Sequence, residues 1–460
     1  MKKLFYILLV TTIIGTTNAQ SNNKIIIKKI NITGNKITKN NIIIKELTFE
    51  IGDTIASNKL DSLCKKSEEN LMNSSLFNFV TVKYTTSDNS AEININLVEQ
   101  WYIWPIPIFE HADRNLSSFF HNGDWSRINY GAFLAVYNFR GRKEVLKFKI
   151  RFGYKEQYGF MYSKPNLDKA QKHGLTVESS YFRQHEIAYA TQNNQLEYYR
   201  NDNEFTKTSI RATLGYQYRQ TLYTYHKISL QYNNILINDS VAIKNPEYLG
   251  DSVTNTQYLN LSYGFTNDKR NYIYYPTKGH YFHTSISYKG FVFKETNVAY
   301  IKTKFSWYKP LVNRLFFGQT FSGKLSNNYE QPYYLIEGFG YADMLRGYEY
   351  YVIDGNNNIL IKNNLRFNIL KRKDFKLGFI PWEQFNKSYL AIYLNTYFDI
   401  GYVYNKYEPA NTTNTMVNSW QYSGGIGLDL VTYYDTVFRI EYSINKFGES
   451  GFFIHLGSGI

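Results

Sequence analysis

A period-two alternation of apolar and polar residues, repeated from residue 101 to the C-terminus, constrains the fold of this chain more than any other feature. From Leu146 to Tyr154 the even positions are apolar, and the odd positions are lysine, arginine or glycine. Residues 282–288, 301–307 and 438–444 divide in the same way. Successive side chains of a strand point to opposite faces, so each segment predicts a strand with one apolar and one polar face. A membrane-spanning barrel, with lipid outside and water inside, accommodates many such strands.

Composition and length agree with a barrel. The chain contains 44 Tyr and 32 Phe, yet its mean hydropathy is −0.43. A helical membrane protein needs runs of ~20 apolar residues, and none occurs after residue 20. A spanning strand needs ~9–11 residues and a turn, so residues 101–460 predict an antiparallel transmembrane β-barrel of roughly 16 strands. The segment 186–203 is ambiguous at this level.

The N-terminus predicts export. Lys2 and Lys3 precede an apolar stretch from Leu4 to Ile14, and small residues end at Ala19. This order of zones is typical of a cleaved secretory signal, which we place at residues 1–19, and it disfavours a short buried helix. The single cysteine, Cys64, excludes an intrachain disulfide and is distant from the cleavage site, which disfavours a lipoprotein anchor.

The chain is basic. Its formal charge of +14 falls to +12 once the two lysines of the signal leave. A net positive charge is one signature of nucleic-acid binding. Export of the chain and the scattering of Lys and Arg through the strands argue against a nucleic-acid partner. Lumen walls and acidic lipid headgroups are the better partners for this charge.

Residues 24–100 have a different pattern and predict a small α/β domain. Strands are predicted at 25–32, 76–84 and 93–99, and helices at 38–47, begun by a Thr38 cap, and 57–73. The order strand, helix, helix, strand, strand resembles a POTRA domain at nearly full length. The matching points are the turn Gly34-Asn35, the break Gly52-Asp53, Leu76-Phe77 before the second strand and Glu99 at the end. Three short strands leave an exposed edge, which we expect to accept extended client segments by β-augmentation.

One long stretch lacks the alternation. The segment from Pro332 to Gly355, the long loop below, contains glycines 338, 340 and 347 and the sequence Leu345-Arg346-Gly347-Tyr348. Long ordered loops within compact domains are usually functional. Arginine makes bidentate pairs with carboxylates, so we expect Arg346 to anchor this loop to a distant strand.

Asp399 is the expected partner. From Tyr389 to Tyr404 the even positions are mostly apolar, which places Asp399 and Gly401 on the lumen face. A charge at such a site needs a partner. The alternative is two unrelated, solvated charges.

Three ordered motifs resemble those of the BamA/TamA family of outer-membrane assembly barrels. The turn Asp268-Lys269-Arg270-Asn271, followed by Pro276-Thr277-Lys278-Gly279, resembles the family's D-x-R-N…P-T-x-G turn. Residues 345–348 resemble its [V/L]-R-G-[F/Y] loop motif, and Phe398-Asp399-Ile400-Gly401 resembles its F-D-x-G strand motif. The resemblance covers the POTRA unit and the whole barrel, and it implies that the arginine of the loop contacts the aspartate of the strand inside the lumen.

Two departures from the family pattern stand out. Asn364 occupies a lumen position where the family commonly has a second acidic residue, so we expect a looser anchor or one shared with another lumen group. The chain ends on Ile460 rather than on Phe, which predicts weaker recognition by assembly machinery or a frayed closing strand.

The resemblance implies a protein insertion factor without covalent chemistry. It would sit in the outer membrane with its POTRA domain in the periplasm, and act on unfolded outer-membrane or secreted proteins, with outer-membrane lipids and periplasmic or lipoprotein helpers as further partners. Its barrel domain, residues 101–460, would begin with an aromatic hinge at Trp101–Pro107 and a first strand near 127–139. That strand would meet the last strand, near 451–457, at a seam that opens sideways.

Two other functions remain open. A dedicated secretion pore of the same superfamily is the first alternative, and a small-solute porin, which needs neither the POTRA domain nor the loop, is the second. The sequence contains no G-x-S-x-G, no P-loop and no metal-spaced His/Cys cluster, so we predict no enzyme activity, cofactor or metal.

Overall fold

The computed structural model describes residues 24–111, 128–291, 296–381, 383–406, 413–434 and 436–457. The predicted signal segment 1–19 and the C-terminal residue Ile460 lie outside these ranges. None of the helices within them is long and apolar enough to cross a membrane.

The N-terminal domain is an α/β unit of four strands and two helices. Its elements are β1 (Lys24–Thr33), α1 (Asn40–Ile44), β2 (Thr54–Ala56), α2 (Ser57–Asn73), β3 (Phe77–Ser87) and β4 (Ser90–Glu99). The strand order is β2-β1-β4-β3, with β1 parallel to β4. Both helices bury apolar side chains against this sheet, among them Ile43, Leu60 and Leu71. The sequence did not indicate β2, because three residues are too few to show a period of two.

The predicted helix cap at Thr38 is wrong. Helix α1 begins at Asn40, and its flanking residue makes no side-chain cap. Thr38 is buried instead, and its backbone N–H donates to Glu99 Oε1 over 2.6 Å. The Glu99 carboxylate also accepts the N–H groups of Lys36 and Ile37. The end of β4 therefore fixes the chain that follows β1.

The described residues after β4 form an antiparallel sheet of sixteen strands and a separate two-stranded hairpin, which confirms the predicted fold class. The strands in chain order are β5 (Ile103–His111), β6 (Ile128–Phe139), β7 (Glu144–Gly153), β8 (Lys155–Lys164), β9 (His173–Gln184), β10 (Glu186–Gln192), β11 (Gln195–Arg200), β12 (Lys207–Arg219), β13 (Thr224–Ile237), β14 (Asn255–Asp268), β15 (Gly279–Gly290), β16 (Val298–Val312), β17 (Leu315–Ser326), β18 (Asn357–Lys376), β19 (Lys387–Tyr404), β20 (Trp420–Thr432), β21 (Thr436–Asn445) and β22 (Ser450–Gly457). Strands β10 and β11 form a separate hairpin in the loop between β9 and β12, which accounts for the ambiguous segment 186–203. Two short helices, Asp239–Lys244 and Glu383–Asn386, lie in connections.

The alternation places apolar residues outside and polar residues inside. On β7, Phe148 and Ile150 are 41% and 47% exposed, whereas Arg151 is 9% exposed. Arg151 Nη1 donates to Glu110 Oε1 over 2.6 Å. An exposed apolar belt around a polar interior is the arrangement that a bilayer requires.

The first barrel strand is β5, which corrects the prediction that it lies near residues 127–139. That segment is the second strand, β6, and most of the predicted hinge Trp101–Pro107 belongs to β5. Pro105 and Pro107 hid the strand, because proline is depleted in strands and is tolerated at an edge. Strand β5 is such an edge, since it pairs with β6 on one side.

Strand β22 forms the other edge of the sheet. It pairs with β21 in an unbroken register from Ser450 to Gly457. Within the described residues no hydrogen-bonded ladder joins β22 to β5. We call the boundary between these two strands the seam.

The N-terminal domain lies against one end of the barrel. It contacts five different strand hairpins there, through hydrogen bonds and the ion pairs of Glu46. The contacts join Lys39 to Gly141, Asn41 to Gln171, Glu46 to Arg219, Asn73 to Asn271 and Asn78 to Tyr433. The domain is therefore fixed across this mouth of the barrel.

Glu46 makes a bidentate ion pair across this contact. Its Oε1 and Oε2 accept from Arg219 Nη1 and Nη2 over 2.9 and 2.6 Å, and Lys143 Nζ lies 3.6 Å from Oε1. Burial raises the pKa of Glu46, but the charges of Lys143 and Arg219 outweigh it and hold that pKa below its ordinary value of 4.5. A lowered carboxyl pKa stabilises the contact above the ordinary pKa and loses that stabilisation as pH falls through the lowered one.

Replacing Glu46 by Gln is expected to weaken docking of the domain. The change leaves Arg219 buried without its counterion, which costs about 3–5 kcal/mol in buried pairs. At pH 7, hydrogen exchange of amides 36–48 in the full chain should be faster in the variant than in the unchanged protein. In the unchanged protein the same loss of docking should occur only well below pH 4.5, where Glu46 becomes protonated. Glu50→Gln, at an exposed position of the same domain, is the matched control. Equal exchange in both variants at pH 7 would contradict the role of the ion pair.

Candidate functional site

The long loop connects β17 to β18 and folds into a compact apolar cluster. Phe339 forms isolated bridges with Asp343 and Ile353, which close the loop on itself. Leu345 and Tyr348 are fully or nearly fully buried in the cluster, together with Leu360 of β18. The apolar side chains of the loop thus fix the residue between them, Arg346.

Arg346 makes a bidentate ion pair with Asp399 of β19. Its Nε donates to Asp399 Oδ2 over 2.7 Å, and its Nη2 donates to Oδ1 over 2.6 Å. The guanidinium lies over the Tyr397 ring, with Cζ 3.7 Å from the ring centroid. This is the pair that the sequence predicts, and it spans 53 residues of chain.

Two further groups complete the surroundings of Arg346. Its Nη1 donates to Asn364 Oδ1 of β18 over 2.9 Å and lies 3.3 Å from Glu441 Oε1 of β21. Arg346 is 4% exposed, Asp399 0% and Glu441 1%. Of the two expectations for Asn364, a looser anchor or a shared one, the structure shows the shared one. Asn364 of β18 contributes an amide oxygen to Arg346, and Glu441 of β21 contributes the second carboxylate.

Glycines of the motifs leave room for the loop. A Cβ on Gly401 would lie 2.4 Å from the Phe339 ring, so only glycine at this position admits that ring beside Asp399. Gly347 has a φ of +81°, and a Cβ there would lie 3.2 Å from Ser423 Cβ. Phe398, the residue before Asp399, is 49% exposed on the outer face of the barrel.

The turn motif between β14 and β15 is internally bonded. Arg270 donates from Nε to Asp268 Oδ1 over 2.8 Å and from Nη2 to Oδ2 over 2.6 Å. Asn271 Oδ1 accepts the N–H groups of Thr277 and Lys278. Gly279 has a φ of +103°, and a Cβ there would lie 2.1 Å from the Lys269 carbonyl oxygen. The turn is thus fixed from both of its ends.

The same turn reaches into the barrel and contacts a second ionic cluster. Tyr275 Oη donates to Asp429 Oδ2 over 2.7 Å, and Asp429 also accepts from Arg439 Nε over 2.6 Å. Arg366 donates from Nη1 to the Pro276 carbonyl over 3.1 Å. On its outer side the turn holds the N-terminal domain, since Asn73 Oδ1 accepts the Ile273 N–H. The motif therefore connects that domain to the barrel interior.

The long loop also stabilises the last strands. Asn445 Nδ2 donates to the Gly347 carbonyl, and the rings of Tyr350 and Phe453 lie 5.7 Å apart. His455 Nε2 of β22 lies 3.6 Å from Glu349 Oε1 and 3.5 Å from Glu441 Oε2. The loop thus contacts β21 and β22 directly as well as β19.

Sequence reasoning missed Glu441, Asp429 and Arg439 as members of these clusters. The alternation in 438–444 places Arg439 and Glu441 on the lumen face, so it identifies them as lumen residues. It does not identify their partners, because those lie on other strands or on the long loop. A single sequence does not determine the register between separate strands.

Two family models match the chain. The model described as "Surface antigen variable number repeat", of the POTRA type, matches residues 25–100, and the model described as "Omp85 superfamily domain" matches residues 138–359. The second match includes the turn motif and Arg346. The chain belongs to the Omp85 superfamily.

Solved structures agree on the fold of this Omp85 protein. BamA from Haemophilus ducreyi lacking POTRA domains 1–3 aligns with a TM-score of 0.54 at 15% identity, covering 95% of this chain and 85% of that one. CdiB from Escherichia coli aligns with a TM-score of 0.53 at 10% identity, covering 94% of this chain and 75% of that one. No curated protein sequence matches the chain.

Superfamily membership defines a general function. Omp85 barrels are outer-membrane proteins with periplasmic POTRA domains, and they are assembly or transport factors without enzymatic activity. Outer-membrane protein insertion or secretion, with protein substrates, is therefore the general role of this chain. The mouth of the barrel that the POTRA domain covers is its periplasmic end.

Proposed function

We propose that this Omp85 protein inserts unfolded outer-membrane β-barrel or surface proteins, as a single-POTRA relative of the BamA/TamA group. The proposal rests chiefly on the seam. A closed pore needs a continuous ladder, whereas β5 and β22 are two edges of one sheet without a ladder between them in the described residues. Unpaired strand edges are templates for adding further strands.

The interior of the barrel supports insertion over export through the lumen. The long loop occupies the interior and is held by Asp399, Asn364 and Glu441. The POTRA domain contacts five hairpins at the periplasmic mouth, so a polypeptide would have to displace both elements to pass through. A lateral route through the seam requires neither displacement.

Each motif has a role in this mechanism. Arg346 and Asp399, with Leu345, Gly347, Tyr348, Phe398 and Gly401, keep the loop in the lumen. The turn formed by Asp268, Arg270, Asn271, Pro276 and Gly279 links the POTRA domain to the barrel. The free edge of β3 receives unfolded clients from the periplasm, outer-membrane lipids thin beside the seam, and lipoprotein or periplasmic helpers assist. Residues 1–19 direct the chain to export.

The test of insertion is depletion of the protein followed by a quantitative survey of the outer-membrane proteome. An insertase predicts that several β-barrel proteins fall together, because the seam recognises strands rather than one partner. Loss of one secreted protein with its barrel neighbours unchanged would assign the chain to the alternative, a dedicated secretion pore. Reconstitution in vesicles with one denatured barrel client should reproduce the insertion without ATP.

A further inference from the structure

A cleft lies between the POTRA domain and two periplasmic turns of the barrel. One wall is the segment 35–42, which runs from the end of β1 into α1, and the other is formed by the β6–β7 and β8–β9 turns. Two hydrogen bonds join the walls: the Lys39 N–H donates to the Gly141 carbonyl over 3.0 Å, and Gln171 Nε2 donates to the Asn41 carbonyl over 2.8 Å. The cleft has a volume of about 760 Å³, and sites for small molecules span about 300–1,000 Å³.

Both walls of the cleft are basic. Five cationic side chains line it, two from the POTRA domain and three from the barrel: Lys36, Lys39, Arg142, Lys164 and Lys169. Among the described residues none of the five takes part in an ion pair. The acid in the described lining is Asp168, and its Oδ1 already accepts the N–H groups of Lys172 and His173. Like charges on two walls repel each other, so an anion bound between them would stabilise the contact.

The barrel wall of the cleft begins where the lipid-facing surface ends. Lys164 is the last residue of β8, and its side chain points to the same face as Tyr158 and Phe160, which are 39% and 38% exposed. The register of β8 with β9 is unbroken and sets Lys164 opposite Leu175, which is also exposed on that face. Lysines at this boundary of an apolar belt lie among lipid headgroups. The cleft is therefore next to the periplasmic leaflet of the membrane.

Exposed apolar side chains lie on both walls as well. Ile37, on the POTRA side, is 53% exposed, and Leu167, in the β8–β9 turn, is 44% exposed. A small inorganic anion would leave these side chains in water. The glycerol and upper acyl carbons of a phospholipid would cover them, and burying apolar surface is favourable. The combination of cations and apolar groups thus suits an amphiphile with a negative headgroup.

We propose that this cleft binds the headgroup of an anionic phospholipid from the periplasmic leaflet. The phosphate lies between the lysines of the POTRA domain and the cations of the barrel, and the acyl chains follow the outer face of β8 and β9. The lipid thereby joins the POTRA domain to the barrel, in addition to the ion pair of Glu46 with Arg219. This site is independent of the proposed insertion function, because an insertase and a secretion pore can both hold such a lipid.

The first experiment titrates the full chain in detergent micelles with short-chain phosphatidylglycerol and measures the heat of binding. We expect one lipid to bind per chain. Short-chain phosphatidylcholine should bind with at least about fivefold lower affinity, because its choline group adds a positive charge to a basic site. Equal affinities for the two lipids would overturn the proposal.

Two soluble anions test the source of the negative charge. Glycerol 1-phosphate carries the phosphate without acyl chains and should bind more weakly than phosphatidylglycerol, because it leaves Ile37 and Leu167 uncovered. Binding as tight as that of phosphatidylglycerol would assign the cleft to a soluble phosphate ester and refute the lipid site. Binding of hexaglutamate without binding of phosphatidylglycerol would assign the cleft to an acidic polypeptide and refute it equally.

Two pairs of substitutions test whether both walls hold the lipid. Lys36→Gln with Lys39→Gln removes the cations of the POTRA wall, and Arg142→Gln with Lys169→Gln removes two cations of the barrel wall. Each pair is expected to lower the affinity for phosphatidylglycerol about thirtyfold, because each Lys or Arg near an anionic headgroup contributes about a factor of five. Loss of affinity with the barrel pair alone would refute the bridge between the two domains. Unchanged affinity in both variants would refute the site.

A matched control removes the same charge from the same domain outside the cleft. Lys59→Gln with Lys65→Gln changes two exposed positions of α2 and should keep the affinity of the unchanged protein. An equal loss in this control would mean attraction by net charge alone and would overturn the site. Heat-dependent mobility in gel electrophoresis verifies that each variant contains a folded barrel.

Hydrogen exchange in vesicles tests the link between the domains. The Lys39 amide bonds to the Gly141 carbonyl across the cleft, so it reports on the contact of the two walls. Its exchange should be slower in vesicles that contain phosphatidylglycerol than in vesicles of phosphatidylcholine alone. In the Lys36→Gln, Lys39→Gln variant the two kinds of vesicle should give the same rate. A rate that does not respond to phosphatidylglycerol in the unchanged protein would contradict the link.

Discussion

Replacing Arg346 by Ala is expected to abolish function while the barrel still reaches the outer membrane. The change removes both hydrogen bonds to Asp399 and leaves Asp399 and Glu441 buried at 0% and 1% exposure without their common cation. Breaking a buried pair in this way costs about 3–5 kcal/mol, enough to release the loop from the lumen. The sixteen-strand ladder makes no use of the Arg346 side chain and should persist.

Complementation of a depleted strain measures the function, and heat-dependent mobility in gel electrophoresis measures the folded barrel. Arg346→Lys keeps the charge but loses the bidentate geometry, so an intermediate defect is expected. Arg314→Ala, at an exposed position of the β16–β17 turn, is the matched control. Wild-type complementation by the Arg346→Ala variant would count strongly against the role of the loop.

Locking the seam is expected to stop insertion completely. Cysteines at Ile103 and Leu456 lie at the periplasmic ends of β5 and β22, and cysteines at Phe109 and Phe452 lie toward the opposite ends. All four side chains are exposed on the outer face, where a short dithiol reagent reaches them. The crosslinked protein should insert a denatured client no faster than empty vesicles do, because neither edge is free to pair.

The control lock joins strands that are already paired. Cysteines at Leu428 and Ile440 lie directly opposite each other on β20 and β21, away from both seam edges, and both side chains are exposed. The same reagent should leave insertion unchanged there, so that chemical modification alone is excluded as the cause. Undiminished insertion with the seam locked would favour a pore that passes its substrate through the lumen.

The sequence predicted those parts of the fold that depend on local periodicity. The alternation at Leu146–Tyr154 predicts β7, and the alternation around Asp399 predicts that its carboxylate faces the lumen, where Arg346 lies. The motif resemblance identified Arg346, on the distant long loop, as the partner of the Asp399 carboxylate. Both inferences need the pattern of one segment at a time, which a single sequence supplies.

The missed features depend on how separate segments align. Glu441 reaches Arg346 because β19, β20 and β21 pair in one register, and that register does not follow from the alternation of any one strand. Strand β5 was assigned to a hinge because Pro105 and Pro107 are read as strand breakers, whereas at an edge their missing N–H groups cost nothing. The partner of Glu46 was missed because domain docking brings together residues 173 positions apart.

The connection between the POTRA domain and the barrel is a short tether. Only Gln100, Trp101 and Tyr102 separate β4 from β5, and three residues span at most about 10 Å. Tyr102 Oη also donates to the Leu76 carbonyl over 2.8 Å, which shortens the free length further. A movement of the periplasmic domain would therefore pull on the first barrel strand as well as on the five hairpins, so that what binds below acts on the gap beside that strand. A compound that stiffened these three residues would act from the periplasm without entering the membrane.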